Sequence, residues 1–73
     1  MPKYTFNIGG KAYEVQTKGG EILIGGEIVA YYYKEKGGYG LKLVGELGRC
    51  HAKFGSVENA ANAALTHHLS KKQ

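Results

Sequence analysis

Residues Glu27 to Leu69 read EIVAYYYKEKGGYGLKLVGELGRCHAKFGSVENAANAALTHHL, and the way this stretch parses decides the fold. Glu27 to Glu35 is rich in Ile, Val and Tyr, side chains that suit a pleated, half-buried surface. Gly37-Gly38 supplies a turn, a second strand follows, Gly45 to Gly48 turns again, and Arg49 to Phe54 alternates as a further strand. Ser56 then stands where a helix N-cap belongs, with Glu58 in the first turn, where a negative charge meets the positive end of the helix dipole. The spacing predicts a helix over 56–69, with Ala60, Ala61, Ala64 and Leu65 along one face and Leu69 flanking it. Three of those four are alanines, which bury little area each. Val57, Leu65 and the aromatics of the strands must therefore supply most of the hydrophobic stabilisation, at about 25 cal/mol per Å².

Upstream, Lys3 to Ile8 alternates with period two, with Tyr4, Phe6 and Ile8 on one face. Pairing about Gly9-Gly10 sets Phe6 opposite Tyr13 and Tyr4 opposite Val15, and a one-residue slip would put Lys or Gln against these aromatics. Glu21 to Ile24 reads either as a separate short strand or as the start of one bent strand through Tyr33, with Gly25-Gly26 as a bulge. The expected fold is α+β: an antiparallel sheet of four to five strands, order undetermined, with the helix packed on one face. Seventy-three residues make one domain, and at this size only about 60% of the unfolded surface is buried on folding.

Pairing across Gly37-Gly38 sets Tyr32 opposite Leu43, Tyr31 opposite Val44 and Tyr33 opposite Lys42. Ile28, Ala30, Tyr32, Leu41 and Leu43 then share the core face, while Tyr31, Tyr33 and Lys42 share the other. Arg49, His51 and Lys53 alternate outward from Cys50, Ala52 and Phe54. A single helix covers one side of a sheet, so the opposite side is solvated or is an interface. The candidate partner-binding residues are thus Tyr31, Tyr33, Lys42, Arg49, His51 and Lys53. Tyr and Arg are enriched at protein interfaces. Aromatics interleaved with cations also suit single-stranded nucleic acid, whose bases stack and whose phosphates pair.

Charge alone does not choose between them. Of the formal net charge of +4, two come from Lys71 and Lys72 at the end of the chain, and six Glu are scattered among the lysines. The balance does exclude a DNA mimic, which needs strong acidity. One cysteine, Cys50, forms no internal disulfide, and no apolar run approaches a membrane span. The expected setting is cytoplasmic.

Reactive constellations are not expected. His67 and His68 are adjacent on the helix and point about 100° apart, so they cannot clamp one ion. Cys50 and His51, neighbours on a strand, face opposite ways. Gly37-Gly38-Tyr39-Gly40 lacks the Gly-Lys-Ser/Thr of a phosphate loop and leads into a strand. No enzyme activity, cofactor or metal is therefore expected, and a homodimer is permitted by any exposed sheet edge.

Residues 31–69, with the Gly-rich turn before an aromatic, the GELGRC turn and GSVENAANAALTHHL opening the helix, resemble the core of HicB-type antitoxins. That resemblance implies a sheet-plus-helix unit without nuclease carboxylates that binds and occludes a toxin RNase. The family's Leu-Pro-Gly-Cys turn is here Leu47-Gly48-Arg49-Cys50, and its paired acidic residues in the first helical turn are reduced to Glu58. With the sequence ending at Gln73, the C-terminal DNA-binding domain of many such antitoxins is not expected. The build is similar to that of small phage or mobile-element inhibitors of host nucleases, anti-CRISPR proteins included. The expectation is a non-catalytic inhibitor of a protein partner, with a nucleic-acid-binding module as the alternative.

Overall fold

A computed structural model describes residues 3–45 and 50–71, without the side chains of residues 50–52. It contains one antiparallel sheet and one C-terminal helix. Strands β1 (Lys3–Ile8), β2 (Lys11–Lys18), β3 (Glu21–Ile24), β4 (Glu27–Glu35), β5 (Gly38–Leu43) and β6 (Cys50–Phe54) precede α1 (Val57–Lys71). The sheet has six strands in sequence order, a plain meander, where four to five were expected.

The additional strand is β3. Gly25 and Gly26 adopt φ of 61° and 82°, as do Gly9-Gly10 (61°, 80°) and Gly19-Gly20 (55°, 89°). Two successive positive φ values close a two-residue hairpin whose twist matches its strands. Each pair is accordingly flanked by directly opposed residues: Ile8 with Lys11, Lys18 with Glu21, Ile24 with Glu27. Gly25-Gly26 is thus a hairpin, and the bulge lies further on, at Val29, where the β3–β4 register shifts between Ile22 and Leu23. Because of that extra residue, Val29 and Ala30 both belong to the buried core, while Ile28 pairs with Leu23 outside it. The expected core place of Ile28 is therefore taken by Val29.

The fourth Gly-Gly pair behaves differently. Glu35 opposes Gly38, so Lys36 and Gly37 form the turn, and the pairs are Tyr31 with Lys42, Tyr32 with Leu41 and Tyr33 with Gly40. The register is displaced by two residues from the one expected, an even shift that leaves Tyr31, Tyr33 and Lys42 on one face and Ala30, Tyr32, Leu41 and Leu43 on the other, as expected. Gly38 enters the strand because its backbone lies against Phe54: a Cβ there would meet the Phe54 carbonyl oxygen at 2.7 Å. The expected pairs of Phe6 with Tyr13 and Tyr4 with Val15 are both present.

Helix α1 begins as the capping residues dictate. The Asn59 backbone N–H donates to Ser56 Oγ at 3.1 Å, and the Ala60 N–H donates to the Ser56 carbonyl at 3.1 Å. It runs two residues beyond the expected end, to Lys71. Ala60, Ala61, Ala64 and Leu65 are buried against Val15, Ile22, Val29, Ala30 and Leu41. Rather than resting on a flat layer, the helix touches all six strands, which curl around it as a half-barrel. The alanine stripe makes the helix slim enough to be wrapped, and the bulge at Val29 adds local twist to the wrapping sheet. The helix therefore fills the concave side, and the convex side faces outward.

Candidate binding surface

The antiparallel pairings set rows of side chains across the convex face. One row runs Lys18, Glu21, Tyr31, Lys42, each residue directly opposite the next on the neighbouring strand. Adjacent strands lie about 4.8 Å apart, so each side chain is within reach of the next. Tyr31 is 42% exposed and is, with Val44 at 44%, one of two exposed large apolar side chains among the described residues. A second row, Lys3, Gln16, Leu23, Ile28, runs alongside. Leu23 and Ile28 are half-buried there. The convex face thus offers one exposed aromatic residue, Tyr31, with Glu21 and Lys42 as its cross-strand neighbours, beside a partly covered aliphatic pair.

Of the six residues expected to form a binding face, the structure brings together Tyr31 and Lys42 as direct cross-strand neighbours. Tyr33 shares the face by alternation, but it is half-buried: its ring occupies the space in which a Cβ on Gly40 would stand. The ring covers backbone that glycine leaves bare, so Tyr33 works chiefly as part of the sheet. Lys53 is exposed, and its Nζ donates to the Lys36 carbonyl at 3.0 Å, at the β4–β5 turn. That turn lies about 13 Å along β5 from Lys42, so the Lys53 ammonium is set apart from the Tyr31 row. Arg49 and the side chain of His51 lie outside the described residues.

Sequence reasoning missed Lys18, Glu21, Leu23 and Ile28. Their signal was the Gly25-Gly26 pair: read as a hairpin, it makes β3 a strand of its own and sets Glu21 opposite Tyr31. The charge pattern changes with them. A face expected to be aromatic and basic carries Glu21 against its most exposed aromatic ring and Glu14 against Lys3, with Lys3 Nζ 3.7 Å from Glu14 Oε1.

A separate feature is an open groove of about 700 Å³ between β6 and α1, lined by Lys53, Asn59, Asn62, Thr66, His67 and Ser70 among others. Thr66 Oγ1 donates to the Asn62 carbonyl at 2.9 Å along this side of the helix. Among the described residues no group of three His, Cys, Asp or Glu side chains is placed to hold a metal ion. No helix among them is long and apolar enough to cross a membrane.

Comparison with known proteins gives no significant match: no protein-family model, no curated protein and no solved structure matches this chain.

Proposed function

We propose that this chain is a protein-binding module whose convex sheet face docks a protein partner, and that it acts by occluding that partner. The observation that carries the reading is the row Lys18–Glu21–Tyr31–Lys42, in which Tyr31, the most exposed aromatic residue among those described, has Glu21 and Lys42 as its direct cross-strand neighbours. An aromatic anchor with polar groups of both signs around it suits a protein surface, where Tyr is enriched among the residues that dominate binding energy. Occlusion is the mode that the resemblance of residues 31–69 to HicB-type antitoxin cores implies, and a toxin or defence nuclease in the cytoplasm is the corresponding partner class.

The alternative, single-stranded nucleic acid on the same face, is less favoured because a phosphate near Tyr31 would also meet Glu21. Photo-crosslinking from a benzophenone side chain at position 31, with position 62 on the exposed helix face as control, tests the reading. A protein crosslinked only from position 31, whose binding weakens about 30-fold in Tyr31→Ala, is the expected result. Binding of that protein left unchanged by Tyr31→Ala and Lys42→Ala together would overturn it. Crosslinking to oligonucleotides, with affinity falling steeply as salt rises, would establish the alternative instead.

A further inference from the structure

The two edges of the sheet differ. At one edge, β6 pairs with β5 through a register shift between Tyr39 and Leu41, an irregularity of the kind that blunts an edge against further pairing. At the other, β1 is six regular residues, Lys3–Ile8, in unbroken register with β2, and it contains no proline or bulge. Its one charge is Lys3, already paired with Glu14. The type of hairpin fixes which backbone groups this edge presents. Ile8 and Lys11 close the two-residue turn and exchange hydrogen bonds, so the N–H and C=O of Ile8, Phe6 and Tyr4 point into the sheet. Those of Lys3, Thr5 and Asn7 point outward.

We propose that β1 is a self-association edge, at which two copies of this chain pair antiparallel about a two-fold axis through Thr5 and merge their sheets into one. Several observations converge on a second copy as the occupant. The outward backbone groups stand at residues 3, 5 and 7, symmetric about Thr5, so Lys3 pairs with Asn7 of the second copy and Thr5 with its own equivalent. That register also keeps every side chain on its proper side. Tyr4 and Phe6, stacked at 6.3 Å and only half-buried at the rim of the core, meet Phe6 and Tyr4 of the second copy as a four-ring cluster on the concave side. On the convex side Thr5 meets Thr5, a favourable cross-strand pair. No like charges face each other. The two Lys3 ammonium groups sit about 13 Å apart along the strands, beyond the Debye length of about 8 Å at physiological salt.

Pairing at β1 leaves the Tyr31 row exposed, so self-association and partner binding do not depend on each other. Sedimentation equilibrium of the full chain up to about 1 mM, the weak end of measurable association, reads it directly. The expected result is a concentration-dependent dimer in which the Thr5 and Asn7 amides gain protection from hydrogen exchange as the dimer forms. Thr5→Pro removes an N–H that the monomer's own ladder does not use and is tolerated on an edge strand. Thr5→Lys places like charges at the two-fold axis. Each variant, with its fold checked by circular dichroism, should raise the dimer dissociation constant at least about tenfold. A wild-type chain that stays monomeric at the highest concentration overturns the proposal. So does a dimer whose Thr5 and Asn7 amides remain unprotected, or one that folded Thr5→Lys leaves unweakened.

Discussion

Gly38→Ala tests the packing of β5 against β6. Gly38 has φ of 151°, which L side chains rarely adopt, and its added Cβ would sit 2.7 Å from the Phe54 carbonyl oxygen, well inside the 3.4 Å at which ordinary contact begins. The obstruction is backbone, so no rotamer change relieves it, and β6 must shift away from β5. Gly37 is the internal control: its φ is 88°, but a Cβ there meets nothing within 4 Å. Gly37→Ala should therefore cost only the backbone strain, about 1 kcal/mol. Gly38→Ala adds the displacement of a paired strand, and the total should reach about 2–3 kcal/mol. Against a total stability of about 4–11 kcal/mol for a chain of this length, the variant still folds but is markedly weakened. Urea denaturation followed by circular dichroism measures both variants on one scale. Thermal midpoints should fall about 10–20 °C for Gly38→Ala and about 4–8 °C for Gly37→Ala. If the two variants agree within about 0.5 kcal/mol, near the limit of such measurements, the close approach of Gly38 to β6 does not exist and the β5–β6 pairing must be redrawn.

Three further outcomes follow from named contacts. Gly40→Ala should lose stability in the wild-type background because its Cβ displaces the Tyr33 ring; in a Tyr33→Ala background it should cost less, with a coupling of about 0.5–1 kcal/mol in a double-mutant cycle. Leu65 is fully buried against the concave side of the sheet, so Leu65→Ala should cost about 2–5 kcal/mol in chemical denaturation. Ser56→Ala removes the oxygen that accepts the Asn59 N–H, which should cost about 1 kcal/mol and speed amide exchange first at Asn59.

Much of the architecture is written locally. A period-two pattern specifies a strand whatever surrounds it, which is why β1, β2 and the pairing of Phe6 with Tyr13 follow directly from residues 3–15. Ser56 followed by the alanine-rich stretch specifies the helix start for the same reason: the capping oxygen and the N–H it accepts are three residues apart. Gly25-Gly26 carried the information for the sixth strand, but a Gly-Gly pair encodes both a hairpin and a bulge. The choice between them depends on whether Ile22 and Ala30 can share a core, which is a contact eight residues apart.

The residues alone therefore determined the class of the fold, the inward faces of most strands, the buried stripe of the helix and the exposure of Tyr31. Tertiary structure decided what lies next to Tyr31. The curl of six strands around a slim helix, the place of Gly38 against Phe54 and the bulge at Val29 set Glu21 on one side of that ring and Lys42 on the other. Alternation tells a side chain which face to take, since it is a property of one strand. Which neighbour it meets on that face is a property of register between strands, and register is settled only when turns, bulges and the core are satisfied together.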